Sequence, residues 1–318
     1  MSDLELRSLL VSLGGNAIIP AKGAGTYAEQ RAITADTMHQ VAGLYGAGAR
    51  FMITHGNGPI VGNILIRNEA VRDRIAPMPL DVCGADSQGG IGYMMQQVLG
   101  NELGRLGLAP GVVTVVTQVL VAADDPAFSA PTKPIGLFYK EPEARRLSAD
   151  KGWAIVSDAG RGFRRVVPSP RPVEIVEIEF IRELFERGHI VIGVGGGGVP
   201  VVRQADGSLI GVEAVIDKDL ASRVAASALG LEGLVFVTGV EKIAIDFGRP
   251  TQRFIDRIGM DEVRRHLEAG QFPAGSMGPK VEAAIEFLEA GGHAAVVTSP
   301  DRITEAVAGR AGTWIVSD

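Results

Sequence analysis

The sequence predicts an α/β fold in which a mainly parallel sheet is covered by helices. Short segments rich in valine, isoleucine and leucine recur along the 318 residues, and helical patterns separate them. The composition is 46% hydrophobic and 21% charged, as expected for a globular chain with a substantial core. Because strands alternate with helices, we expect mostly parallel strands joined by helical connections.

The elements follow this alternation along most of the chain. Strands are predicted at residues 9–13, 51–55, 111–121, 189–194, 233–240, 293–299 and 312–316. Helices are predicted near residues 29–47, 60–75, 86–107, 173–188, 217–230 and 280–292. Residues 199–202, "VPVV", are expected to be extended because they contain a proline and three valines.

Residues 124–172 interrupt the alternation. This stretch contains the prolines and basic residues of "DDPAFSAPTKPIGLFYKEPEARRL" and "GRGFRRVVPSPRP". A long excursion of this kind inside a compact fold is more often functional than idle. The alternative is a surface insertion that mediates only packing or dimer contacts.

Charge and cysteine content narrow the classes of function. The net charge is −6, which argues against nonspecific binding to nucleic acid or membranes, because both need a basic face. The single cysteine, Cys83, excludes an internal disulfide framework and is expected to be a small buried side chain, with a catalytic thiol as the alternative. Since no signal-peptide pattern or bilayer-spanning segment is visible, we expect a cytoplasmic protein.

Four glycine-rich loops follow predicted strands, at residues 13–17, 54–59, 193–200 and 238–240. In open parallel sheets the loops at the carboxyl ends of the strands share one edge, where ligands bind. Glycine allows backbone N–H groups to approach a phosphate closely. The loops together therefore predict a shared anion site.

Two common nucleotide-binding motifs do not fit this chain. The segment "GVGGGG" formally matches G-x-G-x-x-G, but the extended "VPVV" follows where a dinucleotide-binding loop needs a helix to begin. The dipeptide Gly-Lys never occurs, which excludes a Walker A loop. A phosphate-handling enzyme must therefore obtain its positive charge from elsewhere.

Three lysines stand in unusual settings. Lys218, in "AVIDKDLAS", lies where a strand-like run meets the start of a helix, and Lys133, in "APTKPIG", lies between prolines of the excursion. Lys280, in "GSMGPKVEAA", lies near the start of an amphipathic helix, where it opposes the helix dipole at a cost of roughly 0.3–1 kcal/mol. A bound phosphate would offset that cost. Taken singly, a lysine in any of these settings is more often a solvated surface residue than a catalytic one.

These motifs occur together in a recognisable order. The segments "LGGNA", "HGNGP", "DPAFSAPTKPIG", "DAGRGFRRVVPSPRP", "GGGGVPV", "AVIDKDLAS", "TGVEKIAIDFG" and "GSMGPKVEAAI" closely resemble the carbamate kinases, within the amino-acid kinase superfamily. The resemblance runs from about residue 9 to the terminal "GTWIV". It implies a three-layer α/β/α sandwich over residues 1–318, an amino-acid kinase-like domain with 124–172 as an inserted, protruding lid subdomain.

The resemblance also implies the activity. The expected reaction is ATP + carbamate ⇌ ADP + carbamoyl phosphate with Mg²⁺, run towards ATP in nitrogen catabolism. Arginine metabolism, purine or allantoin breakdown and carbamoyl-phosphate supply are all compatible with the sequence. A homodimer is expected. The five histidines show no metal-ligand spacing, so Mg²⁺ is expected on the nucleotide phosphates rather than on a protein site.

By the same resemblance, site roles fall on particular residues. Most related kinases carry a lysine before the first glycine pair; here "VSLGG" lacks it, and Lys218 is expected to supply that charge, with Lys280 as the second cation and Asp219 orienting both. Lys133 is expected to clamp carbamoyl phosphate from the lid. The phosphate and substrate loops are expected to use Gly14, Gly15, Asn16, Gly56, Asn57, Gly58, Gly195, Gly196, Gly197 and Gly198. The nucleotide is expected near Thr238, Gly239, Val240, Phe272, Ser276, Met277 and Lys280.

Two departures and two rival functions remain open. Arg171 stands where many family members have lysine, and Gly278 stands where a bulkier residue is common. One rival is another kinase of the superfamily, acting on an amino-acid carboxylate or a nucleoside monophosphate. The other is a nucleotide sensor or scaffold without catalysis, although Lys218, Asp219 and Lys280 are all present.

Overall fold

The computed structural model describes residues 5–19, 25–157, 162–273 and 275–318. Residues 158–161 of the predicted lid subdomain lie outside these ranges. Ala274, within the predicted nucleotide segment, also lies outside them.

Strands account for most of the buried segments predicted from the sequence. They are β1 (Ser8–Leu13), β2 (Arg50–His55), β3 (Val112–Thr114), β4 (Gln118–Val121), β5 (Lys133–Tyr139), β6 (Ile155–Ser157), β7 (Phe163–Val167), β8 (Pro172–Ile175), β9 (Ile190–Ile192), β10 (Val199–Arg203), β11 (Leu209–Gly211), β12 (Gly233–Val237), β13 (Ala244–Ile245), β14 (Arg253–Phe254), β15 (Arg257–Gly259), β16 (Ala294–Thr298) and β17 (Thr313–Val316).

Helices connect these strands. They are α1 (Tyr27–Gly46), α2 (Gly58–Ala70), α3 (Leu80–Arg105), α4 (Glu141–Lys151), α5 (Ile178–Glu186), α6 (Lys218–Ala228), α7 (Met260–Glu268), α8 (Met277–Glu289) and α9 (Ile303–Val307). None of the helices in the described ranges combines the length and apolar character needed to cross a bilayer.

The main sheet has eight strands in the order β15-β17-β16-β12-β1-β2-β9-β3. Neighbouring strands are parallel except β16 and β17, which are antiparallel. β1 lies between β12 and β2, so the loop that follows it emerges near the middle of one sheet edge. The predicted α/β class with a mainly parallel central sheet is confirmed.

Helices cover both faces of this sheet. One core cluster packs α5, α6, α7 and α8 against it, and a second packs α1, α3 and α9 against the opposite face. Along β1, Leu9, Val11 and Leu13 belong to the second cluster while Leu10 belongs to the first, because strand side chains alternate between faces. Burial of each such leucine contributes about 2 kcal/mol, which fixes the register of the strand.

The structure corrects two secondary-structure predictions. Residues 111–121, predicted as one strand, are divided between β3 in the main sheet and β4 in a second sheet. The division occurs around Thr117, whose main-chain N–H and carbonyl groups both bond the side-chain amide of Gln88. Residues 173–188, predicted as one helix, begin in β8, because pairing with β4 overrides their helical periodicity.

The excursion leaves and re-enters through the second sheet, whose order is β11-β10-β4-β8. β4 precedes the excursion and β8 follows it, and these two strands are antiparallel neighbours. Between them β5, β7 and β6 form a three-stranded antiparallel sheet. β5 contacts α2, so the small sheet lies beside the helix that follows the second glycine loop.

Candidate active site

A cavity of about 680 Å³ opens where the loops after β1 and β2 meet the small sheet of the excursion. The first residues of α2 and α6 line it, and so does Ser276, the residue that precedes α8. Helix N-termini present unpaired N–H groups and partial positive charge. The cavity is therefore suited to an anion such as phosphate.

Asp219 joins two ammonium groups in the wall of this cavity. Lys218 Nζ lies 2.5 Å from Asp219 Oδ1, and Lys280 Nζ lies 2.9 Å from Asp219 Oδ2. The side chains of the three residues are 12%, 10% and 6% exposed for Lys218, Lys280 and Asp219. The two lysines come from different helices, α6 and α8, and tertiary folding brings their positive charges together. The first glycine loop has no lysine of its own, and the chain has no Walker A lysine, so these two side chains supply the positive charge.

The charge states of these three residues depend on one another. Burial by itself raises the pKa of Asp219, but the ammonium groups of Lys218 and Lys280 outweigh burial and lower that pKa to about 2. Burial lowers the pKa of Lys218, and the attraction of Asp219 opposes this effect. Asp219 is therefore an anion at neutral pH, and it holds together two cations that would otherwise repel each other.

Lys133, the first residue of β5, brings a third ammonium group to the cavity. Its Nζ donates to Asp217 Oδ2 at 2.7 Å. Asp217 is also the N-cap of α6, where its Oδ1 accepts the N–H of Asp219 at 2.9 Å. One carboxylate thus links the excursion to the first turn of the helix that carries Lys218.

His55 ends β2 beside this cluster and is almost fully buried. Burial lowers the pKa of His55 to about 4; its contact with the Gly56 carbonyl opposes that shift, and the charge of Lys218 adds to it. The Nδ1–O distance is 3.1 Å, and a neutral ring donates there. A Cβ atom at Gly195 would collide with the ring, so the neutral His55 side chain packs directly against the third glycine loop.

Only some of the predicted residues of the glycine loops line the cavity. Those that line it are Gly15, Gly56, Asn57, Gly58 and Gly196. The Nδ2 of Asn57 donates to Ser87 Oγ at 2.8 Å, which fixes this side chain in the wall. A Cβ atom at Gly196 would collide with the Asn57 amide, so the two loops touch at this point.

Gly14 shapes the first loop without lining the cavity. Its N–H donates to the Val237 carbonyl at 2.8 Å, so the prediction that it donates to a phosphate is corrected. A Cβ atom at Gly14 would lie 2.8 Å from the same oxygen, which explains the glycine. The N–H groups of Gly15 and Asn16, at the start of the short helical turn that follows, have no partner within that turn.

Gly195, Gly197 and Gly198 lie behind the cavity wall rather than in it. All three are buried, and the chain at Gly197 and Gly198 has positive φ angles of 96° and 87°. A Cβ atom would meet the Ile216 carbonyl at Gly197 and Val119 at Gly198. Close packing, as much as ligand access, accounts for this run of glycines.

The predicted nucleotide residues fall into separate groups. Ser276 and Lys280 line the cavity, and Lys280 Nζ also donates to the Ser276 carbonyl at 3.2 Å. Residues 238–240 follow β12 outside the cavity lining. Asn16 connects the two regions, because a Cβ atom at Gly239 would collide with its side-chain amide.

Two of the predicted nucleotide residues belong to the core. Phe272 is 6% exposed and lies in the larger core cluster, so its ring packs in the core and does not line the cavity. Met277 packs against the same cluster. Gly278 is buried, and a Cβ atom there would lie 3.1 Å from the Pro273 carbonyl, so a bulkier residue requires a local shift of the chain.

Arg171 closes the excursion against α8. Its Nη1 donates to Glu282 at 2.6 Å, and its Nη2 pairs with Glu286. Arg223 of α6 pairs with the same Glu286. The guanidinium group thus bridges two acids one helical turn apart, an arrangement that a lysine could not reproduce with two parallel contacts.

Several residues of the site were not found from the sequence. Ser12, Thr54 and Ser222 form a buried group of hydroxyls beside Lys218, and Arg164 of β7 lines the cavity opposite. A signal was present for the first two: Ser12 lies between Val11 and Leu13 in β1, Thr54 follows the apolar residues 51–53 in β2, and the two are register partners. Asp217, which precedes Lys218 in "AVIDKDLAS", was given no role in the sequence analysis.

Comparison with known proteins identifies the class to which this fold and site belong. Residues 7–299 match the sequence model of the amino acid kinase family. The chain therefore belongs to the amino acid kinase family, and the predicted phosphotransferase class is confirmed.

Within that family the chain is similar to carbamate kinases. It is 46% identical to the carbamate kinase of Thermococcus kodakarensis, with 98% of this chain and 100% of that protein covered. It is 45% identical to the carbamate kinase of Pyrococcus furiosus, with 98% and 99% covered. The structure of carbamate kinase from Giardia lamblia bound to AMP-PNP matches with a TM-score of 0.92 at 42% identity, over 100% of both chains. The predicted resemblance and the predicted fold class are both confirmed.

Proposed function

We propose that this protein is a carbamate kinase that transfers a phosphoryl group reversibly between ATP and carbamate, working towards ATP in nitrogen catabolism. Near full-length similarity to carbamate kinases supports this activity. The observation that carries the mechanism is the pair of ammonium groups on Asp219, at the sheet edge where the glycine loops meet.

Phosphoryl transfer requires in-line positioning and neutralisation of the charge on the moving group. In the direction of ATP synthesis, an oxygen of the ADP β-phosphate attacks the phosphorus of carbamoyl phosphate, and the bond to the carbamate oxygen breaks. Carbamate leaves as an anion. Lys218 and Lys280 flank the moving group and stabilise its negative charge, while Asp219 holds both in place.

The excursion, residues 124–172, acts in this proposal as a lid subdomain. Lys133 reaches the cavity from β5, and Asp217 provides its partner. A phosphate oxygen in the cavity competes with Asp217 for the Lys133 ammonium group, so binding of carbamoyl phosphate draws the lid onto the substrate. A closed lid excludes water, which protects a carbamate that decomposes in solution.

Mg²⁺ enters this site with the nucleotide. The two carboxylates that line the cavity among the described residues, Asp217 and Asp219, are both paired with lysines. Within the described part of the chain, no group of three or more acidic, histidine or cysteine side chains is gathered at metal-binding distance. The phosphates of ADP or ATP are therefore the proposed ligands, and the ion neutralises part of their charge.

The nucleotide is proposed to lie over the C-terminal half of the molecule. Ser276 and Lys280 border the cavity there, and Thr238, Gly239 and Val240 extend the same edge towards Asn16. The N–H groups of Gly15 and Asn16 are proposed as donors to the transferred phosphoryl group. Gly56, Asn57 and Gly58 face the carbamoyl end, and Gly196 forms the floor between them.

A coupled assay tests the activity directly. The purified chain is given Mg²⁺, ADP and carbamoyl phosphate, and ATP is measured through hexokinase and glucose-6-phosphate dehydrogenase. Parallel reactions replace carbamoyl phosphate with acetyl phosphate, and ATP-dependent reactions offer glutamate derivatives and nucleoside monophosphates. The proposal is supported if ADP is converted to ATP with carbamoyl phosphate and not with acetyl phosphate, and if the other acceptors are not phosphorylated. Preference for another acceptor, or no turnover with any of them, contradicts it.

A cytoplasmic homodimer also remains our proposal. Sedimentation velocity on the purified chain tests the dimer, since a monomer of 33.4 kDa and its dimer are well separated. A single monomeric boundary at micromolar concentration contradicts it. Fractionation of the source cells tests the location.

A further inference from the structure

We propose that Ser12 is a positioning residue for the reaction: its buried hydroxyl accepts a hydrogen bond from Lys218 and holds that ammonium group at the first glycine loop. Ser12 lies in β1, two residues before Gly14. This inference deepens the proposed function, since it explains how an ammonium group reaches a loop that has no lysine of its own. It concerns how the Lys218 ammonium group is held in place, and it adds no new reaction.

The contacts of Ser12 support this role. Lys218 Nζ donates to Ser12 Oγ at 2.8 Å, and Ser12 Oγ lies 3.4 Å from Asp219 Oδ1. A lysine ammonium has three protons and no acceptor capacity, so each fixed acceptor removes one direction in which it can turn. Ser12 and Asp219 together hold Lys218 from two sides. The third donor position remains for a substrate oxygen.

Two further hydroxyls fix the orientation of Ser12. Ser222 Oγ lies 3.2 Å from Ser12 Oγ, and Thr54 Oγ1 lies 2.7 Å from Ser222 Oγ. Ser222 also donates to the Lys218 carbonyl at 2.6 Å, one turn back along α6. The group therefore connects β1, β2 and α6. All three hydroxyl-bearing residues are fully buried, so water does not compete for these bonds.

A serine at this point is otherwise unfavourable. Its neighbours in β1 are apolar, and a buried hydroxyl is costly unless it is hydrogen-bonded. An alanine would pack the strand equally well, but it would leave Lys218 with Asp219 as its fixed acceptor in this cluster. The buried hydroxyl is stabilised by Lys218 at 2.8 Å, together with the more distant Ser222 and Asp219.

The charged groups around Lys218 determine its pKa together with Ser12. Asp219 and Asp217 on α6 attract its ammonium group, Lys280 on α8 repels it, and the neighbouring His55 on β2 is neutral near pH 7. Ser12 contributes an uncharged acceptor that favours the protonated form. Removing this acceptor lowers the pKa of Lys218 and leaves those charges in place.

The experiment follows Lys218 in the unliganded full chain. The protein has seven lysines, so ¹³C labelling at lysine Cε gives few NMR signals, and the Lys218→Ala spectrum assigns the relevant one. Ser12→Ala and Ser12→Cys are titrated, because cysteine keeps the shape of the side chain, with a somewhat larger sulfur atom, but is a weak acceptor. Ser227→Ala is the matched control: it removes another hydroxyl of α6, whose oxygen is buried without a hydrogen-bond partner in the described residues.

We expect the pKa of Lys218 to fall by about 0.5–1 unit in both Ser12 variants and to stay unchanged in Ser227→Ala. Turnover should fall roughly tenfold in the Ser12 variants, with KM for ADP within about twofold of wild type. In a Lys218→Ala background, Ser12→Ala should cost nothing further. An unchanged Lys218 titration, or an equal loss of turnover in both backgrounds, overturns the inference. If the wild type makes no ATP from carbamoyl phosphate, the proposed function fails, whereas the titration still decides the role of Ser12.

Discussion

Asp219 organises the site because each of its carboxylate oxygens binds a different lysine. Lys218 and Lys280 are therefore held close together although both are cations in the first turn of a helix, where the dipole disfavours them. The unfavourable dipole and the mutual repulsion are offset by one buried anion, and they are offset further when a phosphate enters. The cluster therefore binds an anion such as phosphate favourably, because a second negative charge reduces the repulsion between the two ammonium groups.

Removing either lysine should abolish most of the activity. Lys218→Ala and Lys280→Ala are each expected to lower turnover by roughly 10²–10³-fold, the scale for losing one preorganised electrostatic group. Steady-state ATP formation from ADP and carbamoyl phosphate measures the effect. Lys242→Ala is the control, since Lys242 pairs with the exposed Asp256 elsewhere on the surface. Near-normal turnover in a correctly folded Lys218→Ala protein would contradict the assignment of the missing charge.

His55 should make the fold sensitive to mild acid. In the unfolded chain its pKa is the usual 6.5, and in the folded chain it is about 4. Between these values the unfolded state binds the proton, so acidification favours unfolding. From pH 7 to pH 5 this residue should remove about 2 kcal/mol from the free energy of unfolding.

Urea denaturation at the two pH values measures this loss. His55→Gln should flatten the pH dependence, while the exposed His293→Gln should retain it. An identical pH dependence in wild type and His55→Gln would show that His55 is not the acid-sensitive group.

At the scale of elements, the ion pair between Lys133 and Asp217 joins β5 to the start of α6. Lys133→Ala is expected to raise KM for carbamoyl phosphate about tenfold or more, since an ion contact to a phosphate is lost, and to affect KM for ADP little. Lys140→Ala is the matched control, because Lys140 follows the last residue of β5 and does not line the cavity. Unchanged KM and turnover in Lys133→Ala would argue against a clamp.

The glycine turn after β9 should be intolerant of side chains. Gly197→Ala combines a φ angle of 96° with a collision against the Ile216 carbonyl, so it is expected to lower the free energy of unfolding by about 2 kcal/mol or more. Gly207→Ala has a similar φ angle of 87° in open space, so it should cost only about 1 kcal/mol. Denaturant midpoints compare the two. Equal losses would mean that backbone strain alone, and not close packing, requires the glycine.

At the scale of the whole molecule, the cavity gathers helix starts from both halves of the chain, so ligands should stabilise the fold as a unit. Saturation with MgADP at about 100 times its Kd should add about 2.7 kcal/mol to the free energy of unfolding and raise Tm by a few degrees. Differential scanning calorimetry measures the shift. Lys280→Ala should show a smaller shift at the same MgADP concentration. An unchanged Tm in the wild type would contradict the proposal that MgADP binds in this cavity.

Prediction from the sequence succeeded where local patterns were strong. Apolar strands such as β1 and β2 were predicted correctly because their signals lie within a few residues. The lysines in "IDKD" and "GPK" meet at Asp219 in the structure, and their catalytic roles stay a prediction. Prediction failed at residues 111–121, where a side chain from α3 divides one apolar run between two sheets. It also failed for Gly14, whose N–H is taken by a neighbouring strand.

The sequence by itself determined the class of fold, the family and the identity of the charged residues, because hydrophobic periodicity and ordered motifs are local properties of the chain. Only the tertiary structure decided which acceptor each lysine uses, with Lys218 meeting Ser12 206 positions away and Lys133 meeting Asp217 84 positions away. Such pairings depend on strand register and on where each helix begins against the sheet. Those are set by the burial of many apolar side chains at once, and no short segment carries that information.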